Sequence, residues 1–186
     1  MHAFINAVVS YLPNKMEVND TNRITTKIGI FSRHVVEEGE CASDLAYNAA
    51  EKMFFDYSID RNSIDFLILC TQSPDYFLPT TSCILQNRLR LSTQCGAFDF
   101  NLGCSGYVYG LSMAKGLIET GQANRILLLT AETYSKYIHP EDNTVRPIFG
   151  DAATATLVSA ENTDIDGLHA INGFVKRKRS VFWCFF

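Results

Sequence analysis

The chain has 186 residues, of which 47% are hydrophobic and 19% are charged, and its formal net charge is −4. This length and composition are typical of one globular domain with a sizeable core. The negative charge, without a basic stripe interleaved with aromatic residues, argues against a nucleic-acid partner. The amino terminus lacks a secretory signal, and no apolar run is long enough to span a membrane. We therefore expect a cytoplasmic protein without a nucleic-acid or membrane partner.

Cysteine usage argues against a metal site and against a disulfide framework. The six cysteines form no Cys-x-x-Cys pair and do not cluster with the four histidines at metal-ligating spacing. Most of them lie in apolar segments, as free cysteines do in a reducing compartment. They are Cys41, Cys70, Cys83, Cys95, Cys104 and Cys184.

The predicted elements alternate between strands and helices along the chain. Near-continuous apolar runs at 64–71 and 125–132 indicate strands covered on both faces. Helical spacing and polar caps indicate three helices, the first opened by Ser43 and Asp44 and the second capped by Thr80 or Thr81. Segment 14–33 is polar and is predicted to be a loop. The strands are predicted at 3–12, 64–71, 96–100, 125–132 and 150–160, and the helices at 43–55, 80–89 and 107–118.

The resulting order, β-α-β-α-β-α-β-β, predicts an α/β fold. Crossover helices between strands of one sheet favour parallel pairing, with helices on both faces. We therefore expect a mixed, mainly parallel sheet of five strands.

Cys104 stands at the junction between a predicted strand and a predicted helix. Gly103 and Gly106 flank it and allow the backbone to approach closely. The positive end of the helix dipole favours a thiolate at such a junction, which makes the sulfur nucleophilic. A buried structural cysteine is the other interpretation, and the spacing alone leaves both open.

Three segments together resemble a known family. They are Asn-Leu-Gly-Cys-Ser-Gly at 101–106, Phe-Gly-Asp-Ala-Ala at 149–153 and Lys-Ile-Gly-Ile-Phe-Ser-Arg-His at 27–34. In this order and spacing they resemble the amino-terminal half of a β-ketoacyl-acyl-carrier-protein synthase III, a member of the thiolase superfamily. The resemblance runs from about residue 1 to about residue 160, and it implies a thiolase-like half-domain.

The resemblance implies an acyltransferase in which Cys104 is the nucleophile. In the family this cysteine takes an acyl group from acyl coenzyme A as a thioester and then condenses it with malonyl-acyl carrier protein. Acyl coenzyme A is then a substrate, no cofactor is needed, acyl carrier protein is a partner, and a homodimer is expected. The family's catalytic His and Asn come from its second half and have no counterpart here, so we expect that this chain alone cannot condense.

The resemblance also carries over some substrate contacts. Arg23, Lys27 and Lys136 match positions that face the coenzyme A nucleotide, although the two lysines stand where arginines are usual and Arg23 where a tryptophan is usual. A solvated surface charge is the alternative for each of them. Leu78 matches a position that shapes the acyl pocket, often across the dimer interface. Asp151 is expected to orient backbone and not to move protons.

The carboxyl-terminal stretch departs from the pattern of the family. We assign residues 1–174 to the thiolase-like domain and residues 175–186, a basic run followed by mostly aromatic residues, to an aberrant tail. Because family members are nearly twice as long, we interpret the chain as a truncated half. The alternatives are an inactive or interaction-only half-domain and another thiolase-fold condensing enzyme.

Overall fold

A five-stranded sheet organises the computed structural model, which describes residues 1–20 and 22–162 of the chain. The predicted boundary at residue 174 and the tail at 175–186 lie outside the described residues. The strands are β1 (His2–Tyr11), β4 (Phe66–Cys70), β5 (Gly96–Phe100), β6 (Arg125–Glu132) and β7 (Ala152–Glu161), and their order in the sheet is β1-β7-β6-β4-β5.

The sheet is mixed, as the sequence predicts. Strand β4 pairs in parallel with β5 and β6, whereas β7 pairs in antiparallel with β6 and β1. Four of the five strands therefore run in the same direction, as predicted, and within the described sheet β7 alone runs against them. The reason is that β7 returns beside β6 without a crossover helix, and that β1 pairs with β7 at the edge.

Helices cover both faces of the sheet, because successive residues of the buried strands point to opposite sides. Helices α2 (Ala42–Asp56) and α3 (Thr81–Arg88) pack on the face that receives Leu67 and Leu69 of β4. Helix α4 (Gly106–Glu119) packs on the other face, against Ile68. Both clusters are built mainly of fully buried aliphatic side chains, and together they form the core of the described domain.

Segment 14–33 is more ordered than the predicted loop. Strands β2 (Met16–Val18) and β3 (Ser32–His34) pair in antiparallel and enclose a short helix, α1 (Arg23–Ile28). The Asn19 side chain donates hydrogen bonds to the carbonyl oxygens of Ile30 (3.0 Å) and Pro147 (2.9 Å). Contacts of this kind produce no periodic pattern in the sequence. The order of segment 14–33 could therefore not be predicted from its polar composition.

The start of α2 differs slightly from the prediction. The helix begins at Ala42, and Cys41 occupies the N-cap position. The Asp44 carboxylate accepts a hydrogen bond from the Cys41 backbone N–H (2.8 Å), which completes a capping box. Ser43 and Asp44 therefore lie inside the first turn and do not precede it.

Candidate active site

Cys104 lies in the turn that joins β5 to α4, as predicted. Its side chain is exposed, and α4 begins two residues later at Gly106. The backbone N–H of Gly106 donates to the carbonyl oxygen of Gly103 (2.7 Å), which closes the turn around the cysteine. Because the turn follows the carboxyl end of a parallel strand, Cys104 occupies the edge of the sheet where ligands of open α/β sheets commonly bind.

The end of β4 lies directly beneath this turn. The Cys70 thiol donates a hydrogen bond to the carbonyl oxygen of Leu102 (3.1 Å). A methyl group at position 106 would overlap the Cys70 sulfur, and one at position 103 would lie 2.9 Å from Gln72 Oε1. The close approach of the buried Cys70 sulfur therefore favours a glycine at 106, as the sequence suggested, whereas at 103 the neighbour is the end of an exposed glutamine side chain that can move. Sequence reasoning identified neither Cys70 nor Gln72 as part of this site.

Glu132, at the end of β6, fixes the segment that contains Gln72. One carboxylate oxygen accepts from the Gln72 backbone N–H (2.7 Å), and the other accepts from Ser73 Oγ (3.0 Å). Burial is the main cause that raises the pKa of Glu132 to about 7; the charge of Asp151 adds to the shift, and the hydrogen bonds from Gln72 and Ser73 oppose it. Sequence reasoning also missed Glu132, although a carboxylate that ends an apolar strand is a visible signal.

Asp151 is a buried residue that orients backbone, and this prediction is confirmed. Its carboxylate accepts hydrogen bonds from the backbone N–H groups of Val36 (2.9 Å) and Ser135 (3.0 Å). Its own N–H donates to the carbonyl oxygen of His34 (2.8 Å). Asp151 therefore joins β3, the start of β7 and the turn at Tyr134–Tyr137.

An ionic cluster centred on the buried Arg33 holds β2 and β3 against the segment before β7. The Arg33 guanidinium donates to Asn19 Oδ1 (3.0 Å), to the Phe149 carbonyl oxygen (2.9 Å) and to Glu17 Oε2 (2.7 Å). Arg146 donates to the same Glu17 oxygen (2.7 Å). Burial of Glu17 opposes ionisation, but the two guanidiniums prevail and lower its pKa. Sequence reasoning missed this cluster, whose members lie far apart in the chain.

The predicted coenzyme A contacts lie on two elements. Arg23 and Lys27 are exposed on α1, and their spacing of four residues puts them on one side of the helix. Lys136 lies in the turn Tyr134–Tyr137, and its ammonium donates to the Glu40 carbonyl oxygen. All three residues stay predicted contacts, and so does Leu78.

Leu78 belongs to an exposed apolar loop between β4 and α3. Its side chain is 83% exposed, and Phe77 beside it is fully exposed. Asp99 of β5 anchors the end of this loop, because its carboxylate accepts from the N–H groups of Thr81 and Ser82 (2.6 Å each). Thr80 is the N-cap residue of α3, but its side chain makes no capping hydrogen bond. Asp99 therefore supplies the cap that the sequence assigned to a threonine.

The residues that the structure describes, 1–20 and 22–162, contain neither a cluster of metal-ligating side chains nor a membrane-spanning helix. No group of three or more His, Cys, Asp or Glu side chains there has a geometry that could hold a metal ion. No helix in the same residues is both long enough and apolar enough to cross a membrane.

Comparison with known proteins shows which family the chain resembles. The family model for 3-oxoacyl-[acyl-carrier-protein] synthase III matches residues 98–173, which include Cys104 and Asp151. A Campylobacter jejuni relative, described as a putative 3-oxoacyl-[acyl-carrier-protein] synthase 3, is 43% identical over 150 residues, or 81% of this chain and 42% of the relative. Over most of its length the chain matches members of the 3-oxoacyl-[acyl-carrier-protein] synthase III family.

Solved structures of synthases from this family share the fold. One 3-oxoacyl-(acyl-carrier-protein) synthase III superposes with a TM-score of 0.86 and 49% identity, covering 89% of this chain and 52% of that one. A Burkholderia xenovorans 3-oxoacyl-(acyl-carrier-protein) synthase gives a TM-score of 0.84 and 38% identity, covering 88% of this chain and 50% of the other. The chain thus spans about half the length of the synthase III relatives that it matches, as expected for one half of the family's fold.

Proposed function

We propose that this chain carries the acyl-transfer half of a β-ketoacyl-acyl-carrier-protein synthase III of fatty acid or related biosynthesis. The observation that supports this most directly is the exposed Cys104 in the glycine-flanked turn before α4. An acyl carrier has access to such a sulfur, whose thiolate form is the attacking species. The resemblance to the family supplies the reaction class.

The proposed reaction is a transfer of an acyl group between two sulfur atoms. The Cys104 thiolate attacks the carbonyl carbon of an acyl coenzyme A, and a new carbon–sulfur bond forms. The bond to the coenzyme A sulfur breaks, and the departing thiolate takes up a proton. The backbone N–H of Cys104 is the proposed donor to the oxygen that becomes negative in the intermediate. Acyl coenzyme A is a substrate here and not a resident cofactor.

The second step, condensation with malonyl-acyl carrier protein, needs further groups. Decarboxylation of the malonyl thioester requires donors that polarise its carbonyl, and the family resemblance implies a His and an Asn for this role. We propose that the 186-residue chain forms the acyl-enzyme but does not complete condensation, so acyl carrier protein is a partner of the complete reaction only.

Substrate binding is proposed at α1 and at the loop before α3. Arg23 and Lys27 present two exposed cations on one side of α1, which suits the phosphates of coenzyme A. Lys136 is the third proposed phosphate contact. Leu78 is the proposed residue of the acyl pocket.

We also propose a homodimer in the cytoplasm. Strand β5 is an edge strand of the described sheet, so one side of its backbone is open to pairing. The loop before α3 exposes two large apolar side chains, Phe77 and Leu78. This loop lies beside β5, because Asp99 of β5 caps the first residues of α3. We propose that a second copy of the chain covers both the β5 edge and this loop. In that arrangement, which the family resemblance implies, Leu78 reaches an acyl pocket across the interface.

The test is the intact mass of the purified chain after incubation with several short acyl coenzyme A donors. The expected result is a gain of one acyl group that is absent in Cys104→Ala. Cys83→Ala is the matched control, since Cys83 is also exposed, and it should keep the gain. A folded chain that gains no acyl group from any donor would overturn the proposal. Steady release of a β-ketoacyl product by this chain would overturn the proposed limit to the first step.

A further inference from the structure

Cys70 is a buried thiol that the acyl-transfer chemistry does not use. It ends β4, only 4% of its surface is exposed, and its sulfur lies against the backbone of Gly106 at the first residue of α4. Its thiol also donates to the Leu102 carbonyl oxygen (3.1 Å), two residues before Cys104. Cys70 therefore contacts the Cys104 turn on both of its sides.

The protonation of Cys70 suits this arrangement. Burial raises the pKa of its thiol to about 11, and Glu132 contributes to the shift. At neutral pH Cys70 is consequently a neutral S–H group that can donate to a carbonyl oxygen and does not compete as a nucleophile. The structure thus places an inert thiol directly behind an exposed one.

The geometry points to Cys70 as a positioning residue that holds the turn of Cys104 at the amino end of α4. The sulfur fills the space that a side chain at position 106 would otherwise occupy, and the hydrogen bond to Leu102 fixes the other arm of the turn. The Gln72 side chain lies beside Gly103, and Glu132 holds the Gln72 backbone. The effect of Cys70 on acyl transfer rests on the proposed function of Cys104 as the nucleophile. Its positioning of the turn does not depend on that function.

A volume exchange between positions 70 and 106 tests the inference in the full 186-residue chain. Cys70→Ala removes the sulfur and its hydrogen bond, and adding Gly106→Ala puts a methyl group back into the vacated space. Two rates are measured at pH 7: acetyl transfer from acetyl coenzyme A to Cys104, and alkylation of Cys104 by iodoacetamide, followed on its own peptide by mass spectrometry. The second rate needs no acyl donor, so it reports on the turn even if acyl transfer fails.

Cys70→Ala is expected to lower acetyl transfer about tenfold, because displaced reacting groups lose rates of this order. Alkylation is expected to fall about threefold, because the turn no longer holds the Cys104 sulfur in its exposed position. The double variant is expected to regain both rates to within about twofold, since the two positions are coupled. Cys95→Ala is the matched control. Cys95 is also buried, and its pKa is likewise about 11, but it lies before β5, away from the turn, and its removal should leave both rates unchanged.

The inference is overturned if Cys70→Ala alkylates and acetylates at the wild-type rates, or if the double variant regains neither rate. Cys70→Ser keeps an O–H donor for Leu102 and decides the case if Cys70→Ala does not fold: both of its rates should lie closer to the wild-type rates than to the tenfold and threefold losses expected without a donor. A wild-type chain that takes no acetyl group, but whose alkylation follows the expected pattern, would refute the proposed acyl transfer and uphold the role of Cys70.

Discussion

The carboxylate of Asp99 on β5 accepts a hydrogen bond from the backbone N–H of Thr81, the first residue of α3, at 2.6 Å. A second bond, from Ser82, occupies the other carboxylate oxygen. The strand that leads to Cys104 therefore caps the helix that follows the Leu78 loop. The Asp99 carboxylate therefore links the strand that precedes Cys104 to the helix that follows Leu78.

Asp99→Ala should lower the free energy of unfolding by about 1–2 kcal/mol, because two helix N–H groups lose their acceptor. Asp99→Asn should cost less, since one oxygen acceptor is kept. Urea unfolding followed by circular dichroism measures both. Asp56→Asn is the control, as its exposed pair with Lys52 contributes little. Equal stability of Asp99→Ala and the control would show that the cap makes no contribution.

Arg33→Gln should destabilise the domain by about 1–3 kcal/mol, because Asn19 and the Phe149 carbonyl lose their donor, while the partly exposed Glu17 keeps its pair with Arg146. The Arg33 side chain is only 5% exposed and its guanidinium serves three acceptors. Arg33→Lys should restore only part of the loss, because an ammonium lacks the planar fork of donors. Urea unfolding again gives the values, with Lys52→Gln as the surface control. A lysine variant as stable as wild type would mean that charge alone matters at this position.

Sequence reasoning predicted the elements whose signals are local. The position of Cys104 followed from the glycines beside it and from the helical spacing after it, and the structure confirms that junction. The residues that hold the site in place could not be predicted in this way, because each of them contacts a partner far away in the chain. Glu132 meets Gln72 across 60 residues, and Arg33 meets Phe149 across 116. A single sequence carries no periodicity that could reveal such pairs, so charged residues at strand ends were the only available signal.

Glu132 should make the stability of the domain fall as pH rises. Its pKa is raised from an ordinary 4.5 to about 7 in the folded chain, so folding favours the protonated carboxyl. The stabilising contribution is full below about pH 4.5 and is lost as pH rises through about 7, by at most about 3 kcal/mol. Glu132→Gln cannot ionise, so the difference in unfolding free energy between wild type and this variant should shrink or reverse over that range.

The measurement is urea unfolding of both proteins at several pH values from 4.5 to 8. Glu161→Gln is a suitable control, because this carboxylate is exposed at the end of β7, and its difference from wild type should show no comparable step. A wild-type minus Glu132→Gln difference that is constant with pH would mean that Glu132 ionises in the folded chain as it does in the unfolded one.

Lys27→Gln should weaken the use of acyl coenzyme A without affecting the intrinsic reactivity of Cys104. The proposed role of Lys27 is an attraction for phosphate from an exposed position on α1, which acts on binding and not on the thiolate. We expect the acyl-donor concentration for half-maximal transfer to rise about threefold to tenfold, and the effect to diminish at high salt. Lys27→Arg should lower that concentration, since a guanidinium can bind phosphate bidentately.

Acyl transfer to Cys104 at a series of acetyl coenzyme A concentrations measures these effects, with iodoacetamide alkylation as the reactivity check. Lys115→Gln on α4 is the matched control, because that lysine already pairs with Glu119. Lys136→Gln should have a smaller effect than Lys27→Gln, because the ammonium of Lys136 already donates to the Glu40 carbonyl oxygen. If Lys27→Gln and Lys115→Gln behave alike, Lys27 is a solvated surface charge, and the nucleotide phosphates must be bound elsewhere.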